Sequence, residues 1–434
     1  MKHHDQGTHS RPGKHVFARQ LLIALFLVIT LAQRGVPSGM AANIPLSRIR
    51  IAFTQHNNVF LMDGTGKLLD VITTRGTGPS GEKYVAYPWY QWSPDGKYLL
   101  VVRETGYPIS WDLLLMNARG NLVRTLATGL PDATFYPSWA FDADQIAYVG
   151  AARTQSATEN GGIPSQVYGV DVQGHTRMLW SFEQFGGCGG GSGGPAANLQ
   201  QQEEQGYYYA PTLQWSVRQR LVILSDSCDG GVEGLDTETG QQLWPASFRA
   251  GEATLTHSGQ VALVRSSACG SSGSQGQVGC VVLADPRTGE TRHIIAMRAD
   301  LPSWSSDERT LYFVQHLDGP LVPSASGKPT PRPRIAIMRA HADGSQLQQL
   351  VTEDAYATGP LHPTANGRYL IFSHIPDDLT WWQKEAALPP STMNPYTDPS
   401  MKPFIPQVSI QRLDVVSGTL TTILRNAGRP EVQP

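Results

Sequence analysis

A chain of 434 residues with 40% hydrophobic side chains can bury a sizeable core. Its formal charge of −2 and its 16% of charged residues give no electrostatic basis for binding nucleic acid. Glycine and proline, at 44 and 31 residues, are abundant in the way expected of many short strands separated by turns.

Residues 1–41 carry the features of a targeting segment. Lys2, Arg11, Lys14 and Arg19 form a basic front, and the apolar run Leu21 to Ala32 follows it. That run is too short to cross a bilayer comfortably, since spanning takes about 20 residues. Gly39-Met40-Ala41 then supplies small residues at a cleavage site. The expectation is a cleaved signal peptide, with an uncleaved anchor as the alternative. The mature chain is then extracytoplasmic (periplasmic, cell-surface or secreted), with no stable transmembrane span. Export makes Cys188, Cys228, Cys269 and Cys280 disulfide candidates with three possible pairings. Cys269 and Cys280 bracket a Gly/Ser loop between two strands, where a bridge would tie the ends of a hairpin; four unpaired thiols are the alternative. No C-x-x-C spacing or paired His accompanies them, which disfavours a zinc site.

From residue 48 onward the chain repeats itself. Arg50 to Gln55, Val59 to Met62 and Leu68 to Thr73 predict three strands. Tyr87 to Gly129 predicts four, with Ser93-Pro94-Asp95-Gly96 as a tight turn after Trp92. A third copy opens at Tyr136-Pro137-Ser138-Trp139 and continues to Trp180. A fourth runs from Leu213-Gln214-Trp215 to Gln241–Trp244. The fifth has Leu255 in place of the Trp. The sixth opens at Leu301-Pro302-Ser303-Trp304, and the seventh runs from Gly359 to Leu424. Most third strands end in a turn of one kind: NARG, DVQG, DTETG, DPRTG, HADG, VVSG.

Recurrences of about 40–45 residues with four strands each mark an all-β, seven-bladed β-propeller of four-stranded antiparallel blades. Six or eight blades are alternatives. The expected organisation is a signal peptide at 1–41, a single propeller domain at 42–426 and a C-terminal tail at 427–434. The Pro-x-Trp-Ser-Pro-Asp-Gly-Lys pattern around Trp92 resembles the WD40-like repeats of the TolB family of exported propellers. It is also similar to the propeller domains of prolyl oligopeptidase-type enzymes. Nothing after the propeller could be a hydrolase domain. A G-x-S-x-G match at Gly190 to Gly194 lies inside a glycine tract and lacks the strand and helix of a nucleophile elbow.

With the strands of a blade lettered a to d from the axis outward, a–b and c–d turns share one face and b–c and d–a connections the other. The predicted turns on the first face are short and the long insertions fall on the second, where binding residues concentrate on a rigid scaffold. Aligning the ends of the b strands places Gln55, Arg103, Gly150, Ser225, Arg265, Gln315 and His374 in one ring at the channel mouth. The next positions are His56, Glu104, Ala151, Asp226, Ser266, His316 and Ile375. His56, Arg103, Glu104, Asp226, Arg265, Gln315, His316 and His374 are therefore binding candidates. Trp381 and Trp382, in the Pro-rich insertion 376–406, are candidate loop anchors. Trp92, Trp139, Trp215 and Trp304 recur at one position and are expected in the core between blades.

The expected function is non-catalytic binding of a protein, peptide or glycan, with no catalytic residue, resident metal or cofactor assigned. The alternative is a metal-assisted lyase or hydrolase at the channel mouth. His56, His316 and His374 raise a transition metal, and the related oligogalacturonate lyases are seven-bladed propellers with a His-rich manganese site.

Overall fold

The computed structural model describes residues 44–77, 84–106, 110–131, 137–151, 164–183, 212–226, 231–244, 253–256, 258–265, 279–322, 330–376, 383–384 and 407–434. Within Pro45–Pro434 they build seven antiparallel sheets, the blades of a seven-bladed propeller. No helix among the described residues is long and apolar enough to cross a membrane.

Blade 2 shows how the sequence dictates the unit. Val85–Trp92, Tyr98–Thr105, Ser110–Asn117 and Leu122–Pro131 pair in chain order. Leu99, Leu100, Val101 and Val102 are all buried, because both faces of a blade are covered by its neighbours. The a–b turn is held by its own side chains. Ser93 Oγ donates to Asp95 Oδ1 at 2.7 Å and accepts the Tyr98 N–H at 2.9 Å, while Gly96 takes φ 68°. Ser305 and Asp307 repeat this in blade 6, and Thr364 and Asn366 in blade 7. The c–d turns of six of the seven blades use one device: Asp63, Asn117, Asp171, Asp236, Asp285 and Asp414 accept backbone N–H groups from the residues that follow them.

Two blades depart from the expectation. In blade 4 the fourth strand predicted at Gln241–Trp244 is reduced to a bridge between Leu235 and Gln242. Trp244 turns inward instead, where its ring lies against Gly234 and its Nε1 donates to the Pro286 carbonyl at 3.1 Å. Blade 1 takes its innermost strand from the other end of the chain. Gly428–Val432, set apart from the propeller as a tail in the sequence reading, pairs antiparallel with Arg50–Gln55 and closes the ring.

The core lies between blades. Six apolar clusters straddle the interfaces from blades 1–2 to blades 6–7, and Trp92, Trp139, Trp215 and Trp304 each sit in one of them, as expected. Between blades 7 and 1, Ile51 and Met62 of blade 1 and Ile371 and Ile410 of blade 7 are fully buried on the facing surfaces. Polar groups tie this contact as well: Arg429 N–H to Ser373 Oγ at 2.9 Å and Arg412 to the Gly64 carbonyl.

Candidate functional site

The b-strand ends form the mouth on the face of the b–c and d–a connections, and most of their polar side chains are engaged by the protein itself. Gln315 Nε2 donates to the Met297 carbonyl at 3.3 Å, and Gln55, at the same register in blade 1, donates to that of Asn426 at 3.1 Å. Both tie a b strand to the connection arriving from the preceding blade. Arg103 Nε donates at 3.0 Å to Asp112 Oδ2 on the neighbouring c strand, and Asp112 Oδ1 accepts the Gly129 N–H at 3.1 Å. Glu104 is buried, with the Tyr84 hydroxyl 3.3 Å from its Oε2. Arg265 donates from Nη1 to Thr291 Oγ1 at 2.7 Å, and burial lowers its pKa.

The three histidines occupy different settings. His56 is exposed in the two-residue turn between Arg50–Gln55 and Asn58–Asp63, at φ 49°. His374 is buried, neither ring nitrogen has a hydrogen-bond partner among the described residues, and burial pushes its pKa down to about 4. His316 is the one presented for chemistry. Its Nε2 lies 2.8 Å from Asp300 Oδ2, while Asp300 is itself buried and its Oδ1 has no hydrogen-bond partner among the described residues. Asp300 is placed by strained backbone, with Arg298 at φ 53° and Leu301 at φ 52° on either side of it. An imidazole oriented by a buried carboxylate is the geometry of a base or of a metal ligand with its supporting group. Among the described residues no three His, Cys, Asp or Glu side chains are grouped so as to hold a metal ion.

One position shifts. Trp215 pairs with Val222 as Trp92 pairs with Leu99, so Asp226, rather than Ser225, shares the register of Arg103. The sequence alignment followed the apolar run and slipped by one residue, which in a strand exchanges the two faces. Trp381, Trp382, Cys188, Cys228, Cys269 and the segment 1–41 lie outside the described residues. Cys280 begins the c strand of blade 5 and is fully buried.

The sequence reading missed a second ring, nearer the a–b turns. The residue before each recurring Trp sits on an innermost strand, and at two of them the side chain bridges to the next blade. Gln91 Oε1 accepts the Trp139 N–H at 3.0 Å, and Gln214 both donates to the Ala253 carbonyl and accepts the Leu255 N–H. Pairing register puts Ser138, Thr254, Ser303, His362 and Glu431 at the same level. His362 Nδ1 and Glu431 Oε2 stand 3.1 Å apart across the contact of blades 7 and 1, each side chain keeping about a fifth of its surface exposed (23% and 21%). The signal was the dipeptide before each turn (Gln-Trp, Ser-Trp), but the tail assignment removed Glu431 from the alignment.

Fold and site together define a seven-bladed propeller with an elaborated mouth. No protein-family model matches the chain, and no curated protein matches it. Solved propellers do. A structure from a study of two prolyl endopeptidases is 10% identical and aligns with 97% of this chain and 55% of its own, at a TM-score of 0.51. This chain thus spans about half of that protein's length. A candidate TolB from Agrobacterium tumefaciens is 15% identical over 89% of this chain and 98% of its own, at a TM-score of 0.37. An oligogalacturonate lyase in complex with manganese is 12% identical over 87% of this chain and 84% of its own, at a TM-score of 0.46. At these identities the likeness is one of fold.

Proposed function

We propose that the chain is an exported, non-catalytic propeller that binds a protein, peptide or glycan on the face of its b–c and d–a connections. The observation that supports this is their asymmetry. Every a–b and c–d connection between described strands is a short turn, whereas the long connections, 184–211 and 377–408 above all, leave the opposite ends of the strands. Insertions that were merely tolerated would fall on both faces.

The test is a paired measurement on the wild type and a variant with 378–404 replaced by a short Gly-Ser linker. The blade strands lie outside that span, so thermal unfolding is expected to change little. Capture of partner from an envelope extract is expected to fall steeply, because aromatic anchors such as Trp381 and Trp382 typically carry about 2 kcal/mol or more each. A large drop in melting temperature with capture unchanged would make the insertion a structural clasp. The second reading, a metal-assisted lyase or hydrolase, draws its support from the His316–Asp300 pair at the mouth. Stoichiometric transition metal in purified protein, lost in His316→Ala, would favour it.

A further inference from the structure

We propose that His362 and Glu431 form a one-proton clasp that seats the C-terminal strand, holding the ring shut in acidic and neutral solution and loosening it in alkaline solution. The clasp is independent of whatever ligand the other face takes.

Six of the seven innermost strands continue through a short turn into the next strand of their own blade; Gly428–Val432 does not. No turn joins it to Arg50–Gln55; it pairs with that strand at Ile51, Ala52 and Thr54, around a bulge where Arg429 takes φ 52°, and Gln433 N–H adds one bond to the Arg50 carbonyl at 2.9 Å. This short pairing is supplemented by side chains. On the blade 2 side, Trp92 Nε1 donates to the Glu431 carbonyl at 3.2 Å, Gln433 Nε2 donates to the Gly96 carbonyl at 2.5 Å, and the Tyr90 hydroxyl donates to the Arg429 carbonyl. On the blade 7 side the strand meets Ser373 and His362.

Other charged groups on the elements packed around the pair are occupied. Arg50 donates to the Ala118 carbonyl, Arg429 to that of Pro88 and Arg412 to that of Gly64. Arg368 pairs with Asp414, and Asp300 with His316. His374, on the strand paired with His362, is kept neutral by burial. The blade 2 strand Val85–Trp92 carries only Tyr87 and Tyr90 as titratable side chains. Burial is thus what acts on the pair, pushing the Glu431 carboxyl up to about 8 and the His362 imidazole down to about 4. A single proton between Oε2 and Nδ1 satisfies both.

The sign follows from counting protons. Seated, the pair holds one proton from about pH 4 to about pH 8. Released, Glu431 ionises at about 4.3 and His362 at about 6.5. Between those two values both states hold one proton and pH has no effect. From about 6.5 to about 8 the seated state holds one more, so release gains tenfold per pH unit, about thirty-fold in all.

Hydrogen exchange of the 428–433 segment, corrected for intrinsic rate and referred to Tyr98–Thr105, reads this directly. In the wild type its protection should fall about ten- to thirty-fold between about pH 6.5 and about pH 8.5. Glu431→Gln can still donate to Nδ1 but does not titrate, so it should show no such fall. His362→Gln leaves a lone carboxyl, so the loss should begin already at about pH 5. A flat wild-type profile, the wild-type fall persisting in Glu431→Gln, or a wild-type onset in His362→Gln would each overturn the clasp.

Discussion

Asp142 allows the inter-blade turns to be tested at one residue. It occupies the position of Asp95, three residues after the blade's Trp, but the Ser93 position is Ala140 in blade 3 and offers it no local hydroxyl. The Asp142 carboxylate reaches the next blade instead. Oδ2 accepts Ser216 Oγ and Arg218 N–H, both at 2.7 Å, and Oδ1 accepts the Val217 N–H at 2.8 Å. Blade 4 needs this, because Arg218 stands where its own turn would carry the Asp. Each hydrogen bond to an ionised group is worth about 1.5–3 kcal/mol net. Asp142 is half-buried and the three bonds are not additive, so Asp142→Ala should destabilise by about 2–4 kcal/mol. Urea unfolding with a fitted slope measures it, since a fall in midpoint at constant slope reports stability alone. Adding Arg218→Asp to Asp142→Ala gives Ser216 a local acceptor and should recover about half of the loss. A single variant within about 0.5 kcal/mol of wild type, or a double variant no better than the single, would refute the cross-blade account.

The remaining expectations are more local. Asp63, Asp236, Asp285 and Asp414 are each pushed up by burial but held below the usual carboxylate range by turn N–H groups and, in part, by nearby cations. Folded values below the unfolded ones give stability that is present above about pH 4 and lost as pH falls through the folded values. Melting temperature should therefore drop on acidification, and Asp414→Asn, which keeps the acceptor as Asn117 does naturally, should flatten that limb. Cys280 should be bridged to Cys269, closing a loop worth about 3 kcal/mol in the chain-entropy account; non-reducing peptide mapping that finds both as free thiols ends the idea. The mature amino terminus should lie near Ala42, and sequencing of exported material that returns Met1 would favour an anchor.

The fold was legible because its two kinds of turn are written in side chains. Ser93 with Asp95, and Asp63 or Asp414 at the end of a c strand, satisfy backbone groups locally, so the motif survives without its surroundings. Gly428–Val432 has no such mark. Its sequence, GRPEV, lacks alternation and contains a proline and a charge, and it becomes a strand only because Arg50–Gln55 offers an unpaired inner edge. For the same reason the His362–Glu431 pair could not be read from the chain: it depends on the ring being closed. At the mouth the sequence placed polar residues at the b-strand ends, with a one-residue slip at Ser225, but could not tell Gln315, consumed by the Met297 carbonyl, from His316, held on Asp300 one position later. That distinction rests on strained backbone at Arg298 and Leu301, which no propensity records. The two ends of the channel therefore differ in kind. At the a–b end, polar side chains cap the innermost strands and hold the ring together. At the other end the b strands finish in polar side chains, among them an imidazole oriented by a buried carboxylate.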